Sequence, residues 1–391
     1  MKFRSERDSL VEALAAAGRA ASGRGVSSPV LSGLHLQCHA NALVVTGTDL
    51  DLTIRVDLEV IGIEDGECVV PARLAADIVR SLEPGAVTME GIAQHEGSND
   101  VDKVEISAAR SRFGLRAFPV VEFPVVAAVA EPTVVLPAGM VGEGLRQVVR
   151  AASTDDARPL LTGVLLTEEK GSIRLVATDS YRLALRDLAG TSGLTAGEDG
   201  TPGDILVPAR ALAELQRLSP SAHGAGGEDG AEAGPAEIGV TIGPKEITFT
   251  SGRVRISTRL LEGTYPDYRQ LVPDHYPNRL HLGKESLVGA LRRVRLLVRD
   301  NTTPVRLSMR PGGVDLTVVS QEVGEASETV DGDFTGEELV IAFNPTYLID
   351  GVEAVLGDEV IIETADPSRP ATVRGAEDED FRYLLMPVRV S

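Results

Sequence analysis

The chain repeats itself three times, and that constrains it more than any single motif. Val70-Pro71-Ala72-Arg73 recurs as Val207-Pro208-Ala209-Arg210, each quartet opening a helical pattern, and Phe343-Asn344-Pro345-Thr346 opens a third. Pro29-Val30-Leu31-Ser32-Gly33-Leu34 is matched by Pro159-Leu160-Leu161-Thr162-Gly163-Val164, and more weakly by Pro304-Val305-Arg306-Leu307-Ser308-Met309. Val45-Thr46-Gly47-Thr48-Asp49-Leu50 shares an apolar-Thr-Asp-turn plan with Val176-Ala177-Thr178-Asp179-Ser180-Tyr181. Each copy is expected to end on an aromatic-Pro or Met-Pro pair, at Phe123-Pro124, Tyr265-Pro266 and Met386-Pro387. The 391 residues then divide into three ordinary domains, 1–129, 130–273 and 274–391.

Within each copy the periodicity predicts two helices among about eight strands. Helices are expected at Asp8–Gly18, Ala72–Leu82, Gly139–Ala152, Ala209–Leu218, Lys284–Arg299 and Pro345–Leu356. Alternating apolar stretches, including Val30–Cys38 and 160–187, read as strands between them. The fold class is α+β with antiparallel sheets, since strands do not alternate one-for-one with helices.

Cys38 and Cys68 are too few for a disulfide framework, and the first residues carry no apolar secretory core; a reducing cytoplasm is the expected compartment. The most apolar run, 117–137, is broken by Pro119, Pro124, Pro132 and Pro137 and cannot span a membrane. Net charge is −20, but much of the acid falls in segments 188–204, 219–237 and 376–380, read as mobile solvated loops.

No catalytic constellation emerges. His35 and His39 share a strand face that Cys38 does not, and no second ligand pair accompanies them, so no metal is expected. Asp49, Asp51, Asp155 and Asp156 sit in turn-like sequence without a nucleophile or base nearby. Phosphate-binding glycine loops and nucleophile elbows are absent, and no cofactor is expected.

Arginines on the helices are more informative. Arg292, Arg295 and Arg299 are spaced for one helix face; Arg146 and Arg150 follow the same logic in the preceding copy. Arg73 and Arg80 recur in spacing as Arg210 and Arg217, whereas the third such helix carries Asp350 and Glu353 instead. Repeat-related basic faces in an acidic chain point to a polyanion contacted through phosphates, without base readout.

Taken together, Thr46-Gly47-Thr48-Asp49-Leu50, Val70–Arg73, Ser111-Arg112-Phe113, Ala177–Ala184, Gly263–Arg269, Phe343–Leu348 and Tyr383–Val390 resemble, in order and over the whole chain, the bacterial DNA polymerase III beta subunit family of sliding clamps. The resemblance implies a head-to-tail homodimeric ring around duplex DNA, without enzymatic activity of its own. Its partners would be the replicative polymerase, the clamp loader and other replication and repair proteins carrying a short linear motif. It also implies DNA-facing roles for Arg24, Arg73 and Arg80, and a dimer interface of Phe113 and Leu115 against Leu296 and Leu297. One peptide groove per protomer is implied at Leu161, Thr178, Ser180, Tyr181, Arg182 and Leu183, with Pro266, Leu271, Asn344 and Tyr347, and the tail Met386-Pro387-Val388-Arg389. The turn departs from the family's frequent Gly-His, reading Ser180-Tyr181. A diverged paralogue acting as scaffold or decoy is the alternative reading.

Overall fold

The computed structural model describes residues 1–21, 28–93, 101–126, 130–194, 203–218, 236–273, 275–299 and 303–389. Arg24, residues 195–202 of the first Gly-rich acidic segment and residues 219–235 of the second lie outside them.

In chain order the first elements are β1 (Lys2–Glu6), α1 (Arg7–Gly18), β2 (Gly33–His39), β3 (Ala42–Thr48), β4 (Leu52–Glu59), β5 (Ile61–Glu64), β6 (Gly66–Pro71), α2 (Ala72–Ser81), β7 (Ala86–Ala93), β8 (Val101–Ala108) and β9 (Ser111–Arg116). Next come β10 (Val134–Pro137), α3 (Ala138–Val148), β11 (Gly163–Glu169), β12 (Ser172–Thr178), β13 (Arg182–Leu188), β14 (Ile205–Pro208), α4 (Ala209–Leu218), β15 (Glu237–Ile242), β16 (Glu246–Ser251) and β17 (Val254–Arg259). The last are β18 (Asn278–Gly283), α5 (Lys284–Val294), β19 (Val305–Arg310), β20 (Gly313–Ser320), β21 (Gly324–Thr335), β22 (Leu339–Phe343), α6 (Pro345–Ala354), β23 (Glu359–Thr364), β24 (Ala371–Gly375) and β25 (Phe381–Leu385).

Two compact units form, Met1–Gly139 with Ala213–Leu260, and Met140–Leu212 with Leu261–Ser391. The first holds a five-stranded sheet, β5-β1-β7-β8-β9, and an eight-stranded one, β10-β15-β16-β17-β4-β3-β2-β6; the second holds a twelve-stranded sheet, β14-β11-β12-β13-β25-β24-β23-β18-β21-β20-β19-β22. The partition does not follow the three sequence copies because strands pair across them. β17 joins β4, and β25 joins β13, both antiparallel.

Local chemistry accounts for the elements. On α1, Leu10, Ala13, Leu14 and Ala17 are buried at helical spacing. A side chain at Gly47 would put its Cβ 2.1 Å from the Ala17 carbonyl oxygen, so glycine there lets α1 lie on β3. At α6, Asn344 caps the first turn: its Oδ1 accepts from the Thr346 and Tyr347 amides at 2.9 and 3.3 Å, and Pro345 occupies a position that needs no donor. Each fully buried leucine contributes about 1.5–3 kcal/mol.

Several expectations are corrected. Pro29–Ser32 and Pro159–Thr162 are 3-10 turns leading into strands, whereas Val305–Arg310 is strand. Proline at the start of the turn fixes φ and sacrifices a donor that a central strand would need. Helix α5 stops at Val294 and passes into a 3-10 turn, Arg295–Leu297, so Arg299 does not continue its face. Met386-Pro387 is no counterpart of Tyr265-Pro266, because it follows β25 directly while Tyr265 lies well beyond β17. Within 376–380, Asp378 is not freely solvated: it holds Arg186 at 2.7 Å.

Candidate partner groove and basic helix faces

The turn between β12 and β13 is built by its own side chains. Asp179 Oδ1 accepts from the amides of Tyr181 (2.9 Å) and Arg182 (3.0 Å). Thr178 Oγ1 accepts from the Ser180 amide at 3.2 Å and donates to the Arg182 carbonyl at 2.6 Å. These bonds fold the chain over so tightly that Ser180 takes φ 79°. The turn aims Arg182 and Leu183 back along β13, where β25 lies alongside.

Register then sets the walls. Leu183 faces Leu384 and Arg182 faces Leu385 across the β13–β25 pair. Past β25 the tail is no longer strand but stays tethered, with the Met386 amide on the Tyr181 carbonyl (2.9 Å) and the Val388 amide on the Ala342 carbonyl (2.8 Å). A slot of about 90 Å³ results, lined by Thr178, Ser180, Arg182, Leu183, Leu271, Pro370, Leu384 and Met386. Leu183 and Leu384 are buried at its base, while Leu271 and Met386 are more than 40 % exposed at its mouth. Six of these eight were expected. Pro370 and Leu384 were not, because their place depends on the pairing of β25 with β13 and β24, which local periodicity does not reveal.

Of the other expected groove residues, Tyr181 (58 % exposed) stacks on Tyr347 with ring centroids 6.5 Å apart, making an aromatic shelf. Asn344 is occupied as the α6 cap. Leu161 is buried in its turn, Pro266 and Arg389 are exposed, and Pro387 and Val388 are half-buried; none of these lines the slot.

Arg182 forms the polar wall. Its guanidinium meets Asp179 at 3.0 Å and Asp350 at 2.6 Å, receives support from Tyr383 Oη at 3.3 Å, and lies 4.3 Å above the Tyr347 ring. Burial works against its charge, but Tyr383, Asp350 and Asp179 outweigh it and raise its pKa. Burial also raises the Tyr383 phenol, whose hydroxyl donates to the Tyr347 carbonyl at 2.9 Å. Gly351 makes room for that ring, since a Cβ there would lie 2.4 Å from it. A charged arginine and a neutral tyrosine thus persist across the neutral range. An extended peptide with apolar anchors fits such a slot, with Arg182 and Thr178 to orient it.

The helix arginines prove to be tied to carboxylates. Arg73 and Arg80 share Asp77 at 3.7 and 2.9 Å. Arg217 meets Glu214 at 3.0 Å; Arg292 and Arg150 share Glu353 at 2.7 and 3.3 Å. Arg210, Arg295 and Arg299 are exposed. Arg146 is a correction: it pairs with Glu143 and donates to the Glu353 and Ala354 carbonyls at 3.2 and 3.0 Å, capping the end of α6 instead of presenting a cation. Gln147 joins it on the Ala354 carbonyl at 3.0 Å.

The expected interface residues fall on two elements. β9 is an edge strand of the five-stranded sheet among the described residues and leaves Phe113 38 % exposed, but Leu115 points into its own core at 5 %. Leu115 is therefore corrected to a core residue. Leu296 is 80 % exposed on the turn after α5, and Leu297 is half-buried.

Similarity to known proteins covers the whole chain. Residues 1–127, 136–267 and 269–389 match, respectively, the N-terminal, central and C-terminal domain of the DNA polymerase III beta subunit. The beta sliding clamp of Streptomyces coelicolor is 35 % identical over 100 % of both chains. Among solved structures, the DNA polymerase sliding clamp of Bacillus subtilis aligns with TM-score 0.85 at 28 % identity. The Bartonella birtlesii sliding clamp bound to griselimycin aligns with TM-score 0.87 at 27 % identity, each over 100 % of both chains. A chain that matches all three domains in order, and full-length relatives end to end, belongs to the DNA polymerase III beta subunit family, the beta sliding clamps of bacterial replication.

Proposed function

We propose that the protein works as a ring-shaped head-to-tail homodimer around duplex DNA, with three clamp domains per protomer at 1–129, 130–273 and 274–391. As a sliding clamp it is a processivity factor, not an enzyme. Arg73, Arg80, Arg150, Arg210, Arg217, Arg292, Arg295 and Arg299, with Arg24, supply a sequence-blind phosphate-facing surface. Exposure of Arg73, Arg80, Arg210, Arg217 and Arg292 on helices, and of Arg150, Arg295 and Arg299 just beyond helix ends, in an acidic chain supports this. The ring closes where the β9 edge and Phe113 of one protomer meet Leu296 and Leu297 of the other. An edge strand beside an exposed aromatic is a surface that a partner strand can complete. Leu297→Asp is expected to give monomers by sedimentation; a persistent dimer would place the interface elsewhere. No described helix is long and apolar enough to cross a membrane; a cytoplasmic setting is proposed from the clamp's role on DNA.

The slot at Leu183, Leu384 and Met386 is the docking site for the replicative polymerase subunit, the clamp loader and other motif-bearing partners. The observation that carries this is an apolar slot with a fixed arginine wall, completed by a tethered tail. Burying one apolar anchor contributes about 1.5–3 kcal/mol, so losing a wall weakens binding tenfold or more. A clamp lacking residues 386–391 should remain dimeric and encircle DNA, yet fail to retain the polymerase subunit in pull-down. Wild-type recovery would refute the assignment.

A further inference from the structure

The β12–β13 turn has a twin. Between β3 and β4, Asp49 Oδ1 accepts from the amides of Asp51 (3.2 Å) and Leu52 (2.8 Å), Thr48 Oγ1 accepts from the Leu50 amide (3.1 Å), and Leu50 takes φ 81°. The amide bonds to the Asp carboxylate and the Thr hydroxyl repeat those of the Asp179 turn, with Leu50 in the place of Ser180 and Leu52 in that of Arg182; Thr48 differs in pairing with the Thr53 hydroxyl where Thr178 donates to the Arg182 carbonyl. The next strands correspond as well: β17 lies on β4 as β25 lies on β13. Here too there is a cavity, of about 460 Å³, and its lining includes Thr48, Leu50, Thr53, Glu246, Ser257 and Arg259.

Register converts the likeness into equivalences. Thr53 faces Ser257 where the other groove has Leu183 facing Leu384. Glu246 faces Arg259, and this pair stands where Pro370 lies beside Met386, one step beyond the Ala371–Leu385 pair. One frame therefore carries two sets of side chains. The first cavity's floor hydroxyls are bonded to one another, Thr48 to Thr53 and Thr248 to Ser257, each at 2.8 Å. Arg259 is held by Asp51 at 3.7 Å. Leu50, Pro124, Val125 and Ile242 line the cavity elsewhere, but at the Thr53–Ser257 position an incoming leucine meets hydroxyls in place of the Leu183–Leu384 surface, and the charged rim would have to be desolvated to admit it.

We propose that two side-chain pairs in the walls, and not the backbone frame, determine which groove accepts partner peptides: Leu183 with Leu384 and Pro370 with Met386 admit apolar anchors, while Thr53 with Ser257 and Glu246 with Arg259 refuse them. This rests on the peptide-docking reading above. It gives each protomer one docking site although the fold supplies two frames, and it makes the first frame a dormant copy that four substitutions can open.

The test uses the full-length clamp and a fluorescent peptide containing the clamp-binding segment of the replicative polymerase subunit. Met386→Arg with Pro370→Glu, both on exposed or half-buried positions, should weaken binding more than tenfold while sedimentation still reports the native assembly. Thr53→Leu, Glu246→Ala, Ser257→Leu and Arg259→Met together should raise the stoichiometry from one peptide per protomer to two. Wild-type affinity in the first variant overturns the proposal. So does a folded four-fold variant, with wild-type circular dichroism, that still binds one peptide. If the four-fold variant does not fold, Arg259→Met with Ser257→Leu is used in its place, and one peptide per protomer again overturns it. Failure of the docking reading itself shows differently, as undiminished peptide binding by the clamp lacking 386–391.

Discussion

Helices α2 and α6 open on related sequence markers and end with opposite surfaces. On α2, Arg73 and Arg80 flank a single Asp77, and their side chains are 96 % and 55 % exposed. On α6 the polar positions are Asp350 and Glu353, which receive Arg182, Arg150 and Arg292 from neighbouring elements of the same unit. The last carbonyls of α6 are capped by Arg146 and Gln147 from another helix, whereas at the end of α2 the Ser81 hydroxyl donates to the Ile78 carbonyl at 2.7 Å and Arg7 to the Leu82 carbonyl at 2.9 Å. The difference teaches that an arginine on a helix is defined by what it meets. Arg80 meets water and a carboxylate one turn away; Arg146 meets a helix end. Both look alike in spacing.

The contrast can be broken at several points. The largest effect is expected from replacing Arg73, Arg80, Arg217 and Arg292 by alanine. Residence on DNA should fall tenfold or more for every sequence, and the slope of log affinity against log salt should flatten by roughly 0.9 for each lost phosphate contact. A sequence preference surviving in that variant would contradict a phosphate-only surface. Next is Arg146→Ala, expected to cost about 1–2 kcal/mol of stability in urea unfolding, since charge-assisted bonds to helix-end carbonyls disappear and the site is partly screened. Its DNA retention should change little; a loss as large as that of Arg292→Ala would restore Arg146 to the DNA-facing set.

Smaller shifts sharpen the same distinction. Glu353→Gln weakens the hold on Arg292 and leaves Arg150 its longer contact with Asp350 at 3.8 Å, and should lengthen residence on DNA a few-fold while costing less than about 1 kcal/mol of stability. Shorter residence would mean that the carboxylate positions these arginines instead of competing with phosphate. Asp77→Asn removes a carboxylate from an exposed site and should move stability by less than about 0.5 kcal/mol. A larger loss in thermal unfolding would show that α2 depends on its ion pairs as α6 does.

Much of this was legible in the chain. The turn at Thr178-Asp179-Ser180, the helix starts after Pro71, Pro208 and Asn344, and most of the slot were read from side-chain chemistry, family resemblance and internal repetition, because caps and turns are decided within a few residues. Pro370 and Leu384 were not legible, since only the pairing of β25 with strands far away in sequence brings them to Leu183. Arg146 and Leu115 were misread for a related reason. Spacing places a residue on an element, but the neighbour packed against that face decides whether it is surface or core. Met386-Pro387 matched the other copies in letters only, because β25 runs almost up to it.

The insertion of β25 between β13 and β24 also sets a schedule for folding. Arg182 and its partner Tyr383 are 201 residues apart. At about 5–20 residues per second on the ribosome, roughly 10–40 s separate their synthesis. Throughout that interval β13 is an open edge of Val-, Leu- and Ala-rich sheet, the kind of surface on which nascent chains of one polysome pair with each other. The strand that completes the docking slot is thus also the one that closes this edge, so a chain able to hold a partner has already passed its most aggregation-prone stage.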